Sequence, residues 1–317
     1  MQILIVNYNW YHSEILGSLL LYLNYRNDIN IKFIFDPSKK EGNYISYFLK
    51  LNKNIKYEII KYKSPKYLVE YFLNCDYLFC LEEIQLKKIM TKNIFRQNSN
   101  KIISYYHTNC GKFFFPNIKK IILGEVPFNS KFKNKYLIPN YFIDNKFKFD
   151  NQKNKKIYLI IGKISLEHKC LNLLKNLEKY NCLIYIISRN PCDIQESKNI
   201  KILKNISCNE LIELYKKTDF IMTLNQPNCI YHKTMITGII SFAISYGIPL
   251  IIDKMFNKLN KFNFLDDELI YDSKFNNAFE YSVKMNKKQW LKNHDRIIDY
   301  RDKQILANNL KFVNLII

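Results

Sequence analysis

The residues best suited to chemistry on a phosphorylated ligand lie where apolar runs give way to helix-like segments. Thr237 and Gly238 fall in a succession of a buried strand (Asp219 to Leu224), a polar loop (Asn225 to Lys233) and a helix from about Thr234 to Tyr246. A loop that leaves a parallel strand's carboxyl end and feeds a helix offers an anion bare backbone N–H groups and the positive end of the helix dipole. A threonine there adds a hydroxyl, and a glycine lets a ligand approach the backbone. An ordinary crossover helix, with Gly238 serving close packing on a sheet, explains the same residues. His232 and Lys233 precede the helix, and each either faces a diphosphate or is solvated.

Lys169 lies in GKISLEHKC, after the run ending at Ile161, and Arg189 follows the run ending at Ser188. A cation in such a loop makes charge-assisted contacts with phosphate oxygens, roughly twice as strong as neutral ones. Solvation of Lys169 and a sheet-capping role for Arg189 are the competing readings. In the first half, His107 follows KIISYY and so stands at the carboxyl end of a strand. It either stabilises a leaving group, orients an acceptor, or bonds a backbone carbonyl as a structural histidine. Asn9, His12 and Glu14 occupy the first strand-to-helix loop, and Glu14 is also a charge that a helix N-terminus favours.

The elements that must position these residues form a repeating rhythm. In the first half, apolar strands are expected at Gln2–Asn7, Ile31–Asp36, Lys56–Tyr62, Asp76–Leu81, Lys101–Tyr106 and Lys119–Leu123. Helices are expected from about Ser13 (a candidate N-cap) to Tyr25, Asn43 to Leu51, Pro65 to Leu73 and Glu83 to Met90. A polar stretch, DNQKNKK at Asp150–Lys156, is the best linker. The rhythm then restarts with Ile157–Ile161, a helix His168–Tyr180, strands Leu183–Ile187 and Ile200–Leu203, and a helix Cys208–Lys217 with Ser207 and Glu210 as a capping box. Strands without polar alternation, separated by helical segments, imply parallel sheets covered on both faces. The reading is therefore α/β: residues 1–150 and 151–317 each form a Rossmann-like, doubly wound domain. The C-terminal helical segment, Lys292–Asn309 with Trp290 before it, packs back on the first.

Composition narrows the classes. The chain has 317 residues, 48% hydrophobic, with 7 Gly and 8 Pro, which suits two packed domains and excludes a disordered or low-complexity chain. The formal net charge of +21 is diffuse and accompanied by many Asn, Ile and Tyr. AT-rich coding, as in a large DNA virus, produces this usage. Anionic partners, namely nucleic acid or a membrane surface, explain the charge otherwise. Eight cysteines without a CxxC pair argue against a zinc site, and neither half carries GxGxxG, which disfavours a dinucleotide cofactor. With no apolar run long enough for a signal peptide or membrane span, a cytoplasmic protein is expected, in host cytoplasm if viral.

The stretch from Thr234 to Ile251 resembles the donor-binding signature of GT-B glycosyltransferases that use nucleotide sugars, most like the retaining group. Ala243, Gly247, Pro249, Leu250 and Ile251 fall in register with it, whereas Thr234 and Phe242 stand where the family has glutamates that contact the donor. Gly162 and Lys169 resemble the family's Gly-(Arg/Lys)…Lys-Gly element, with Cys170 replacing the last glycine. Ile138–Pro139–Asn140 resembles the element the family places at the domain junction.

The resemblance implies two domains facing across a cleft. The second would bind a nucleotide-diphosphate sugar through Gly162, Lys169, Arg189, Lys233, Thr234, Thr237 and Gly238. The first would present Asn9, His12 and Glu14 to a glycan, protein or lipid acceptor, with His107 catalytic and no metal or separate cofactor. Loss of both glutamates leaves open a catalytically inactive binding or scaffold module. The charge leaves open a DNA-modifying glucosyltransferase, with peripheral contact to an anionic membrane as a further way to use it.

Overall fold

The computed structural model describes residues 1–7, 13–35, 42–61, 64–81, 91–106, 117–123, 135–149, 155–162, 170–175, 177–188, 194–226 and 238–316. The chain divides into two compact units, residues 1–143 with 305–317, and residues 144–304.

The first unit contains β1 (Gln2–Asn7), α1 (Leu16–Asn24), β2 (Asn30–Phe35), α2 (Gly42–Leu51), β3 (Lys56–Lys61), α3 (Pro65–Leu73), β4 (Tyr77–Cys80), α4 (Lys92–Gln97), β5 (Ile102–Tyr106), β6 (Lys119–Ile122) and β7 (Lys135–Leu137). Its strands form one sheet in the order β3-β2-β1-β4-β5-β6-β7, with every pair parallel. The central strands are apolar because both faces are covered: Ile3 to Val6 and Leu78 to Cys80 are all buried. Ser64 caps α3 by accepting from the Tyr67 amide, with Pro65 in the first turn. Ser13 is the first residue of a 3-10 turn that runs to Ile15, and α1 follows from Leu16 with no side-chain cap bond from Ile15. The expected helix Glu83–Met90 lies outside the described residues.

The second unit contains β8 (Lys156–Ile161), β9 (Cys182–Ile187), β10 (Ile200–Leu203), α5 (Cys208–Lys217), β11 (Phe220–Met222), α6 (Gly238–Tyr246), β12 (Leu250–Asp253), α7 (Lys254–Asn260), β13 (Ile270–Tyr271), α8 (Phe275–Lys284) and the part of α9 (Lys287–Leu315) before residue 305. Its sheet runs β10-β9-β8-β11-β12-β13, again all parallel. Counted within the unit this is the order 3-2-1-4-5-6 of a doubly wound dinucleotide-type sheet, and the first unit repeats it with one strand added. The capping box of α5 is present: the Ser207 hydroxyl accepts from the Glu210 amide at 3.2 Å and the Glu210 carboxylate from the Ser207 amide at 2.6 Å.

The helix expected over His168–Tyr180 is replaced, within the described residues, by two 3-10 turns, Leu171–Leu174 and Leu177–Lys179. Lys175 between them is extended. Leu171 and Leu174 in the first turn and Leu177 in the second are all buried.

The last helix is a single element from Lys287 to Leu315, and its final residues, 305–317, belong to the first unit. There Phe312 stacks on both Tyr22 and Phe79, with ring centroids 5.1 and 5.8 Å away. The Lys119 ammonium donates to the Leu315 carbonyl at 2.6 Å, closing the helix end with a cation.

Candidate functional site

All strands of the second unit point the same way, so their carboxyl ends share one edge. The strand order reverses between β8 and β11, and ligands of open α/β sheets bind outside that point. Two loops leave it, one after β8 and one after β11. Gly162 begins the first, with φ +121°, a region that L side chains rarely adopt, and no described atom lies within 4 Å of where a Cβ would stand. This is room that a ligand could use, in a backbone that only glycine accepts without strain.

The second loop begins with an oddity. Leu224 is fully buried yet has φ +45°, a left-handed conformation that costs a leucine roughly 1–2 kcal/mol. The turn aims its carbonyl at the Cys170 amide, which donates to it at 2.7 Å. One backbone hydrogen bond thus ties the end of the β8 loop to the start of the β11 loop, at the switch point. Burial raises the Cys170 thiol above its ordinary range, so the residue contributes its amide and not a thiolate.

Asn225 follows, buried, donating from Nδ2 to the Asp253 carboxylate at 3.4 Å at the end of β12. The other Asp253 oxygen accepts the Phe256 amide at 2.7 Å and so caps α7. The β11 and β12 ends are therefore fixed relative to one another. Neither the left-handed leucine nor the Asn225–Asp253 pair has a signature in the sequence.

Gly238 is the first residue of α6, half-buried, and Ile239 through Tyr246 are all buried. The helix ends in a Schellman turn: the Ile248 amide donates to the Ala243 carbonyl at 2.8 Å and the Gly247 amide to that of Ile244 at 3.2 Å, with Gly247 at φ +70°. Phe242 faces α5, where its ring lies parallel to that of Tyr215, centroids 5.3 Å apart and planes at 5°. Its position in the family signature belongs to a donor-contacting glutamate, but in this chain the side chain is part of the core.

In the first unit the switch point lies between β1 and β4, and Asn7 ends β1 there. Asn7 is buried, and its Oδ1 has no hydrogen-bond partner among the described residues. Sequence reading passed over it as a strand residue; a polar side chain closing an apolar strand at a switch point was the available signal. Glu14 is half-buried in the turn before α1, and its carbonyl accepts from Asn140 Nδ2 at 3.1 Å, while Ser18 donates to Asn140 Oδ1 at 2.6 Å. The Ile-Pro-Asn element thus clamps the start of α1.

Of the residues singled out in the sequence, Gly162, Gly238 and Glu14 are placed as above. Asn9, His12, His107, Lys169, Arg189, His232, Lys233, Thr234 and Thr237 lie outside the described residues. Cavity size does not locate the site. The first unit has a cavity of about 410 Å³ against Gln2, Ile3 and Leu4 at the amino end of β1, the edge opposite the strand ends. The second has one of about 500 Å³ between the 3-10 turns and residues 194–200. Among the described residues no group of His, Cys, Asp or Glu could hold a metal ion, and no helix is long and apolar enough to cross a membrane.

No known protein family's sequence profile matches the chain. No curated protein matches it by sequence. Solved structures do match in three dimensions. A glycosyltransferase from Rickettsia africae ESF-5 is 14% identical, with 99% of this chain and 98% of that one covered and a TM-score of 0.60. UGT89C1 of Arabidopsis thaliana, solved with UDP-L-rhamnose, is 10% identical over 99% and 98% of the two chains at a TM-score of 0.57. The glycotransferase of kitacinnamycin is 10% identical over 99% and 98%, at 0.52. At these identities the likeness is one of architecture, and it spans both sheets: the chain has the GT-B fold, two Rossmann-like units in one polypeptide.

Proposed function

We propose that the chain is a glycosyltransferase that moves a sugar from a nucleoside diphosphate to a glycan, protein or lipid acceptor. The observation that carries this reading is the second unit's switch point, where an open glycine turn after β8 and a strained, clamped leucine turn after β11 begin the two loops, within a fold whose solved examples include a structure holding UDP-L-rhamnose. In this reading residues 144–304 hold the donor. Gly162 and Gly238 give the diphosphate access to backbone, Lys169, Arg189 and Lys233 neutralise it, and Thr234 and Thr237 donate hydroxyls. The first unit presents Asn9, His12 and Glu14 to the acceptor. The bond from the sugar's anomeric carbon to the diphosphate oxygen breaks with its electron pair leaving on that oxygen, the acceptor oxygen bonds that carbon, and the acceptor's hydroxyl proton passes to the departing diphosphate or to a base beside it. His107 stands at the leaving group or the acceptor hydroxyl. Cations and helix dipoles supply the charge stabilisation without a bound metal.

Nucleoside diphosphates should raise the melting temperature. A ligand at 100 times its dissociation constant adds about 2.7 kcal/mol, roughly 5–10 °C for a domain of this size. No shift with uridine, guanosine or adenosine diphosphate sinks the donor site. The core position of Phe242 favours a second reading, a binding module that has lost transfer. Turnover of a nucleotide sugar that disappears in Lys169→Ala excludes it.

The tie between the two loops has its own test. Cys170→Pro removes the donating amide at a φ of −89°, close to what proline accepts, whereas Cys170→Ala keeps it. With the nucleoside diphosphate that gives the largest thermal shift, affinity should fall about tenfold in the proline variant, a loss of about 1.4 kcal/mol, and hold in the alanine variant. Equal affinity in both would show that the bond does not position the donor loops.

A further inference from the structure

The outward stripe of α9 changes character along its length. At Lys288, Lys292, Asp295, Asp299, Asp302 and Lys303 it is charged and exposed, as a solvated helix face should be, with Leu291, at 39%, the exposed large apolar side chain among them. Over the next two turns the exposed positions are Leu306, Ala307 and Leu310, followed by Lys311 and Asn314. Leu306 is 76% exposed and Leu310 67%, the two most exposed large hydrophobic side chains among the described residues. Folding does not need them there. The inward positions Ile305, Asn308, Phe312 and Leu315 are already buried, and Phe312 is held between Tyr22 and Phe79.

Charge selects the occupant. Lys303 and Lys311 flank the leucines, Asp302, one turn before Leu306, is paired with Arg301 at 2.8 Å, no acidic residue occurs from Lys303 to Ile317, and the chain carries +21 overall. A second copy would bring the same sign of charge to the patch. An anionic bilayer offers the opposite sign together with an apolar layer beneath it. We propose that Leu306, Ala307 and Leu310, between Lys303 and Lys311, form a surface that docks on an anionic membrane, the leucines entering the headgroup–acyl boundary and the lysines meeting the headgroups. The Lys303–Asp299 pair, 2.6 Å and mostly exposed, is a surface ion pair that an anionic headgroup replaces at little cost. This surface is independent of donor binding and does not require transferase activity.

Co-sedimentation of the full chain with vesicles of phosphatidylserine mixed with phosphatidylcholine tests it, with vesicles of phosphatidylcholine alone as the comparison. The mixed vesicles should bind the protein in a salt-sensitive manner and the neutral ones far less. Leu306→Ser with Leu310→Ser should weaken binding tenfold or more, by about the apolar area withdrawn, at an unchanged melting temperature. Lys303→Gln with Lys311→Gln should weaken it and flatten its salt dependence. Three results overturn the proposal: no binding to mixed vesicles, equal binding by the double-serine variant, or a concentration-dependent dimer of the native chain that the double-serine variant abolishes.

Discussion

Phe242→Glu, which restores the carboxylate of the GT-B signature, should unfold the second unit more readily and not improve nucleotide binding. Phe242 is 5% exposed and stacked on Tyr215. Removing a buried phenyl ring costs about 3–5 kcal/mol, and the lost stack adds about 0.5–1.5 kcal/mol. A carboxylate in its place would stand buried among the rings of Tyr215 and Tyr246, and desolvation there drives it toward the neutral acid. The folded state then raises the carboxyl's pKa above the unfolded value of about 4.3, and the charge-dependent part of the penalty is absent below that pH and grows as pH rises. The melting temperature should fall steeply at neutral pH, with a smaller deficit near pH 4. Phe242→Leu, which keeps an apolar side chain, should cost far less. A Phe242→Glu protein that keeps its melting temperature and gains nucleotide affinity would show that position 242 faces the ligand after all.

That contrast marks how far the sequence carries. Most strands of both sheets were legible because parallel strands covered on both faces are continuous apolar runs, and QILIVN and KIYLII have little else to become, whereas the edge strands β7 and β13, three and two residues long, were not read. The α5 capping box was legible because its two partners are three residues apart. The connection after β8 was misread as a helix because a leucine-rich stretch has helical propensity, while nothing local marks the extended Lys175 at which the first turn ends.

Pairings distant in the chain leave no local trace. Asn140 meets Ser18 across 122 positions and the Glu14 carbonyl across 126. At the candidate site, sequence position pointed to the loops after β8 and β11, which the strand order places at the switch point. It did not identify Leu224, because nothing about a leucine announces φ +45° or the bond its carbonyl accepts from the Cys170 amide. A residue aligned with a family's glutamate is likewise not thereby in the site: Phe242 turned toward α5 because Tyr215 offered it a ring to stack on.

Gly247 is the position where motif and physics agree most closely, and substituting it should have the second large effect. Two separate constraints act on it. Its φ of +70° closes the Schellman turn of α6, and any L side chain held there costs roughly 1–2 kcal/mol. A Cβ would also stand 2.6 Å from His294 Cε1 and 2.8 Å from Ile298 Cδ1 on α9. The His294 ring cannot swing aside freely. Its Nδ1 is 2.8 Å from the Gly247 carbonyl, and it is stacked on Trp290, whose Nε1 donates to the Asp219 carbonyl at 2.8 Å. Overpacking of this kind costs about 1–3 kcal/mol. Gly247→Ala should therefore destabilise the second unit by about 2–5 kcal/mol, a melting-temperature loss of at least about 5 °C. The two constraints separate in a double-mutant cycle with His294→Ala. Removing the ring relieves the steric part and leaves the backbone part, so Gly247→Ala should cost less in the His294→Ala background than in the native one, but not zero. Identical costs in the two backgrounds would show that His294 does not constrain the turn, and the requirement for glycine after α6 would then rest on the backbone conformation alone.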